Sequence, residues 1–407
     1  MGRWRTFRSG RNSLKNENPD RSKVLVLAPH YLPASQGGGP IQTVAAMVEN
    51  HSSKHRFYII TADTDWRCSE PMDVPSAKWT SVGEAEVLYL PRGLASFLMA
   101  AREIRKINPG FLYLNSTLNI VFSVVPLLAR KIILPSGATT ILAPRGELGA
   151  GALNQKRTKK TLFLAVAKLI GLHRGLTWHA SSVGEKAEIV KHYPHAAVIV
   201  RSNETRLPTS ATVSSGPVAN EVAQFVYVGR VSPKKGLDLL MEAMALINEP
   251  MSLSVYGPAD SDEYLSILQT KASSLRFGVD VHFLGPVPHD RVAEIFSGAD
   301  AFIFPTAHEN FGHVIAESMS VGCPVIMMGV SPFSDYIRNG GGTIVANCSP
   351  DEWASEILRW INMTNLDRQQ KRNQTARQYD TWRASQELPS VFQLYLREGL
   401  DGDRNSN

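Results

Sequence analysis

Glu309 and Glu317 stand with seven residues between them in the run PTAHENFGHVIAESMSVGCPVIMM at 305–328. Its apolar ends read as strands and its middle as a helix opening near Gly312. Glu309 then lies in the loop at a strand's carboxyl end. Glu317 lies about one turn into the helix, its side chain leaning back towards the amino terminus. Both carboxylates can line one pocket. The leading amides of Gly312, His313 and Val314, reinforced by the helix dipole, form a site for an anion such as a diphosphate. A carboxylate accepts paired hydrogen bonds from a vicinal diol, so two of them beside a phosphate site suit the grip of sugar hydroxyls. Two isolated glutamates would equally read as a loop charge and a solvated helix face; the surrounding Gly, Phe and Pro favour the pocket.

A second run, VYVGRVSPKKGLDLLMEAM at 226–244, ends a strand at Gly229 and places Arg230 and Lys235 before a helix opening near Gly236. Fixed cations at a strand's carboxyl end stabilise the charge that develops on a departing nucleoside diphosphate, with no metal ion required. Alone, this run would read as a basic surface turn; beside the glutamate pair it gains meaning. Gly37, Gly38 and Gly39 precede Pro40, which reads as a first helical residue. They allow backbone to approach a ligand closely. The spacing matches neither the dinucleotide fingerprint nor the triphosphatase phosphate loop. HENFGH at 308–313 has histidines five apart rather than four, with a Gly that opens the helix, so a zinc site is rejected. His30, His173, His179 and His282 are scattered and read as structural or solvated, with His30 bordering the expected cleft.

The elements that must position these residues alternate along the chain. Strand-like runs at 23–29, 57–62, 86–91, 111–116, 138–144 and 176–181 are separated by amphipathic stretches, the pattern of parallel strands with crossover helices. A Pro, Ser and Thr-rich stretch near 203–220 reads as a linker. Alternation restarts at 223–229, 253–257, 281–285, 301–306 and 324–328. Two doubly wound α/β domains in tandem follow, with a cleft at the strands' carboxyl ends as the expected site. The helical period from Trp353 to Leu396 suits a segment folding back across the first domain.

Composition agrees. At 407 residues, two cores are the natural expectation, and 43% hydrophobic with 20% charged residues is ordinary globular chemistry. Residues 1–22 read as a disordered basic tail without the apolar centre of a secretory signal. Cys68, Cys323 and Cys348 are odd in number and lack metal-ligand spacing, which suits a reducing, cytoplasmic setting. The longest apolar run, 120–129, is far short of a bilayer span. A net charge of +6 favours an anionic partner. Leu148 to Gly184 carries no acidic residue but has Lys156, Arg157, Lys159, Lys160, Lys168 and Arg174 around LFLAVAKLIGL, a pattern that suits an anionic membrane surface or a buried helix with a basic end. No aromatic platform accompanies the basic residues, which argues against nucleic acid.

GRVSPKKG at 229–236 and HENFGHVIAESMSVGCPVI at 308–326 resemble, in order, the two donor-binding blocks of the retaining glycosyltransferases of family 4. APRGEL at 143–148 with the basic GALNQKRTKKTLF after it resembles a bacterial subgroup building capsular, exopolysaccharide or lipopolysaccharide sugars. The resemblance implies the GT-B fold, two Rossmann-like domains facing a central cleft. Residues 23–202 would be the acceptor domain, 203–220 the linker, 221–380 the nucleotide-sugar donor domain, 381–399 a helix crossing back, and 400–407 a disordered tail. It also implies that Glu309 holds donor-sugar hydroxyls, Glu317 the ribose diol, and Arg230 with Lys235 the diphosphate. Amides of Asn310, Phe311, Gly312, His313 and Val314 would complete the grip, with Gly285 to Val287 near the base and Gly38 and Gly39 near the phosphate. Arg145 and Glu147 stand where many members carry a histidine motif, on the acceptor side. The implied reaction transfers sugar to a saccharide or lipid-linked saccharide with retention and no metal or other cofactor. A nucleotide-sugar epimerase of similar fold would act without an acceptor, and a noncatalytic nucleotide-sugar-binding protein would not need both glutamates and both cations.

Overall fold

A computed structural model describes residues 21–134, 138–149, 157–213, 222–307, 309–329, 331–386 and 388–398. The expected tails and the 214–220 part of the linker lie outside the described residues. Arg21 and Ser22, read from sequence as tail, belong to the folded chain: Arg21 donates to the Ser52 carbonyl at 2.8 Å, and Ser22 opens the first strand. The chain forms two compact units, Met1–Arg206 with Leu388–Asn407, and Leu207–Glu387.

The first unit holds strands β1 (Ser22–Leu27), β2 (His55–Ala62), β3 (Trp79–Val82), β4 (Ala85–Leu90), β5 (Phe111–Leu114), β6 (Thr139–Leu142), β7 (Thr177–Ala180) and β8 (Ala197–Val200). They make one sheet in the order β3-β4-β2-β1-β5-β6-β7-β8, parallel except for the β3–β4 pair. Strands buried on both faces need apolar side chains at every position. In β1, Val24 and Val26 enter one hydrophobic cluster and Leu25 and Leu27 the other. The chain winds outward from β1 through β2 and β4, then returns to β5 beside β1, so the winding reverses between β1 and β5.

The second unit holds β9 (Ala223–Val228), β10 (Met251–Tyr256), β11 (Val279–Gly285), β12 (Ala301–Phe304), β13 (Val325–Met328) and β14 (Gly342–Val345) in an all-parallel sheet, β11-β10-β9-β12-β13-β14. Its reversal falls between β9 and β12, the strands that precede the cation turn and Glu309. In such sheets the crevice beyond the carboxyl ends at this point is where ligands bind.

Three strands escape the sequence reading, β3, β8 and β14. Each lies at an edge of its sheet with few of its residues buried, and β14 opens on a glycine run. The helix Asn365–Ala384 is continuous, with Trp382 buried against Phe333 and Phe311, so the return to the first unit begins at Leu388 rather than 381. Likewise the first unit runs on through Arg201, whose guanidinium holds the Ser202 and Pro389 carbonyls and Glu204. Leu207 and Ala211 pack on the second core.

Candidate active site

Beyond β9 the chain passes Arg230 and makes a tight turn at Pro233–Lys235 before the helix Leu237–Met244. Gly236 is the pivot. It takes φ 74°, and a Cβ there would stand 2.4 Å from the Pro305 carbonyl oxygen, so only glycine lets this turn lie against the chain leaving β12. The approach brings Lys235 to Glu309. Its Nζ donates to Oε2 at 2.9 Å, with the two side chains 16% and 21% exposed, and the ammonium sits over the Phe304 ring, 4.8 Å from its centroid. The other carboxylate oxygen of Glu309 accepts the Asn310 amide at 3.1 Å. Burial pushes the Glu309 carboxyl upward, but the charge and hydrogen bond of Lys235 outweigh it, helped by that amide and by Lys234, and hold it below its ordinary range.

Arg230 is half-buried at the end of β9, its carbonyl accepting from the Tyr227 hydroxyl at 2.8 Å. Lys234, which the sequence reading passed over, joins the group. Burial and then repulsion by Arg230 and Lys235 lower its pKa, against attraction by Glu309 and Asp260. Three cations and two carboxylates therefore share one electrostatic neighbourhood at the β9/β12 reversal, a net positive site for an anion.

Gly312, at φ 87°, caps the helix His313–Ser320, whose first return bonds run from Ile315 and Ala316 to the Gly312 carbonyl. The amides as far as Val314 precede those bonds and lie at the positive end of the helix. The Phe311 ring is turned into the core against Phe333 and Trp382, so only its backbone is left for the expected ligand contact. Val314 and Val287 also pack partly on the core, and Gly285 closes β11 with its carbonyl on the Gly257 amide at 2.8 Å. Glu317 lies in the second helical turn, 15% exposed, and burial pushes its carboxyl up to about 7. His289, at the start of the helix His289–Ser297, places Nδ1 3.8 Å from Glu317 Oε1. Nothing in the sequence around His289 marks it, because the pairing joins two helices in space. Lys234 was visible as one of two adjacent lysines.

In the first unit, Gly38 takes φ 69° ahead of the helix Gly39–His51, with open space where a Cβ would point. His30 pairs its Nδ1 with the Thr64 carbonyl at 3.0 Å, which leaves Nε2 as the acceptor of the neutral ring. Arg145, itself at φ 54°, donates to Asn115 Oδ1 and the Tyr113 hydroxyl at 2.7 Å each, and to Asn203. His179 Nε2 faces the Arg201 carbonyl, which cannot donate, so its Nδ1 accepts from Tyr113. Burial and the charge of Arg145 push His179 down to about 3, holding it neutral. The Glu147 carboxylate, expected on the acceptor side, is committed to its own chain. It accepts from Ser116 Oγ at 2.8 Å and from the Thr117 and Leu118 amides at 2.6 and 2.9 Å, tying the loop after β6 to the loop after β5. Among the described residues no group of three or more His, Cys, Asp or Glu is arranged to hold a metal ion.

Residues 214–378 match the family model described as glycosyl transferases group 1, and the chain has the two-domain α/β GT-B fold. Among curated proteins it is similar to the D-inositol 3-phosphate glycosyltransferases of Mycolicibacterium gilvum, 30% identical over 37% of this chain and 34% of that one, and of Rhodococcus opacus, 29% identical over 45% of each. The chain thus spans between a third and a half of the length of these relatives. Among solved structures it resembles Anabaena HepE in complex with UDP-glucose, with TM-score 0.65 at 15% identity over 89% of this chain and 95% of that one. Sucrose-phosphate synthase from Thermosynechococcus elongatus gives TM-score 0.65 at 19% identity over 93% and 99%.

Proposed function

We propose that this protein is a retaining glycosyltransferase that moves a sugar from a nucleotide diphosphate sugar to a saccharide or lipid-linked saccharide in bacterial surface polysaccharide synthesis, without a metal ion. The observation that carries the reading is the meeting of Arg230, Lys235, Glu309 and the helix beginning at His313 at the β9/β12 reversal, inside the stretch that matches the group 1 model. The cations and helix amides hold the diphosphate, Glu309 holds sugar hydroxyls, and Glu317 holds the ribose diol. As the bond from the anomeric carbon to the phosphate oxygen breaks, the acceptor oxygen bonds that carbon on the same face. A released phosphate oxygen takes the acceptor's proton, so no protein base is needed. Negative charge grows on the diphosphate during this step, where Arg230 and Lys235 lower its energy.

The surface-polysaccharide part of the reading rests on APRGEL and the basic segment after it. A solved neighbour, WaaG, is described as a glycosyltransferase involved in lipopolysaccharide biosynthesis, with TM-score 0.59. Peripheral binding to the inner face of the cell membrane is supported by the helix Arg157–Leu169. Leu164 and Ala167 are buried, while Leu162, Val166 and Leu169 stay 65%, 47% and 87% exposed, with Lys159 and Lys168 exposed alongside. No helix among the described residues is long and apolar enough to cross a membrane.

The test is thermal unfolding with UDP, GDP, ADP and their sugar conjugates, because a ligand of the folded state raises the midpoint. A rise with one base that is lost in Glu317→Ala supports the donor pocket; no rise with any of them overturns it.

A further inference from the structure

Lys235 and Glu309 have separate tasks in the reading above, the ammonium on the diphosphate and the carboxylate on the sugar. In the structure they are each other's partner, Nζ to Oε2 at 2.9 Å, and both are largely buried. The ammonium is also confined from one side by the Phe304 ring. Among the described residues the polar partners of the Glu309 carboxylate are this ammonium and the Asn310 amide. A diphosphate that takes Lys235 therefore competes with Glu309 for the ammonium's charge and donors. The carboxylate is left in a poorly solvated position beside newly arrived negative charge, a costly arrangement unless something else donates to it. Sugar hydroxyls supply those donors; a nucleoside diphosphate from which the sugar has been removed does not.

We propose that Glu309, by competing for Lys235, makes this site discriminate between the sugar-bearing nucleotide and the bare nucleoside diphosphate, so that the spent nucleotide is released. The inference rests on the donor reading and adds to it a direction of selectivity. Glu309 acts here through Lys235 and is, for this property, a positioning residue. Removing its charge frees the ammonium for a diphosphate in every state of the site, whereas the sugar conjugate loses a partner it had.

The experiment is a double-mutant cycle on binding, read by calorimetry with whichever of UDP, GDP and ADP the wild type binds, its sugar conjugate, and inorganic pyrophosphate. Glu309→Gln is expected to bind the nucleoside diphosphate and pyrophosphate about five- to tenfold more tightly, a change of the size that direct partners show in such cycles. The sugar conjugate should bind no better, so the ratio of the two affinities collapses. In a Lys235→Met background, which keeps the apolar stem over Phe304, the same Glu309 substitution should change nothing. Equal or weaker diphosphate binding by Glu309→Gln overturns the proposal. So does tightening that persists in Lys235→Met, which would mean a diffuse charge effect. The unfolding midpoint of each variant without nucleotide separates a folding defect from either outcome. A wild type that binds none of the nucleotides overturns the donor reading itself and this inference with it.

Discussion

Glu317 carries a pH signature that a solvated helix-face glutamate would lack. Burial raises its carboxyl from 4.5 in the unfolded chain to about 7, so folding favours its protonated form. Below about pH 4.5 both states hold the proton and the group is neutral to stability; between about 4.5 and 7 the unfolded chain gives up its proton while the folded state keeps it, so stability falls across that window and levels off above it. At 1.36 kcal/mol per unit, the cost above pH 7 is on the order of 3 kcal/mol. Glu317→Gln should therefore be more stable than the wild type at pH 8 by up to ~3 kcal/mol, with the gap closing towards pH 5 in urea titrations. If the ionised form holds the ribose, wild-type nucleotide affinity weakens below about pH 7 and the Gln variant shows a flat, weak profile. Arg230→Ala and Lys235→Ala should each lower turnover by about 10²–10³, the size of losing one group that stabilises developing negative charge; near-normal rates in a sugar-transfer assay would remove them from that role.

At the scale of the elements, Gly236 decides whether the cation turn reaches Glu309. Gly236→Ala combines positive φ with a Cβ 2.4 Å from backbone, so the turn must move. A loss of about 1–3 kcal/mol accompanied by loss of nucleotide binding is expected in melting and calorimetry. Gly38→Ala has φ 69° but open space; it should cost stability without displacing any group. The strands bearing the site were legible because they are long or flanked by turn residues, and the sequence pattern also marked the helix start at Gly312 and the placement of Glu309 and Glu317. What pattern could not reveal was pairing across elements: Glu147 closing on Ser116, His289 on Glu317, Tyr113 on His179. Each joins residues from separate elements, and no period or short spacing encodes such a meeting. Phe311 shows the same limit in reverse, since its place in the donor-block run says nothing of its ring turning into the core.

For the whole molecule, the exposed row Leu162, Val166 and Leu169 predicts attachment to anionic vesicles that salt weakens. Leu162→Glu with Leu169→Glu should abolish co-sedimentation while leaving thermal stability near normal, because neither side chain is in the core; persistence would place the contact elsewhere. The closing helix Val391–Arg397 has a different reach. It is the last described helix, yet Phe392 is fully buried among His55, Phe57, Phe111 and Tyr113 of the first unit. Phe392→Ala should cost about 3–5 kcal/mol in that unit's unfolding. Because synthesis runs from the amino terminus, the ribosome delivers every residue of the second unit before it releases the helix that completes the first. The unit begun earliest thus reaches its finished core last, and during translation its aromatic face waits open for the length of an entire intervening domain.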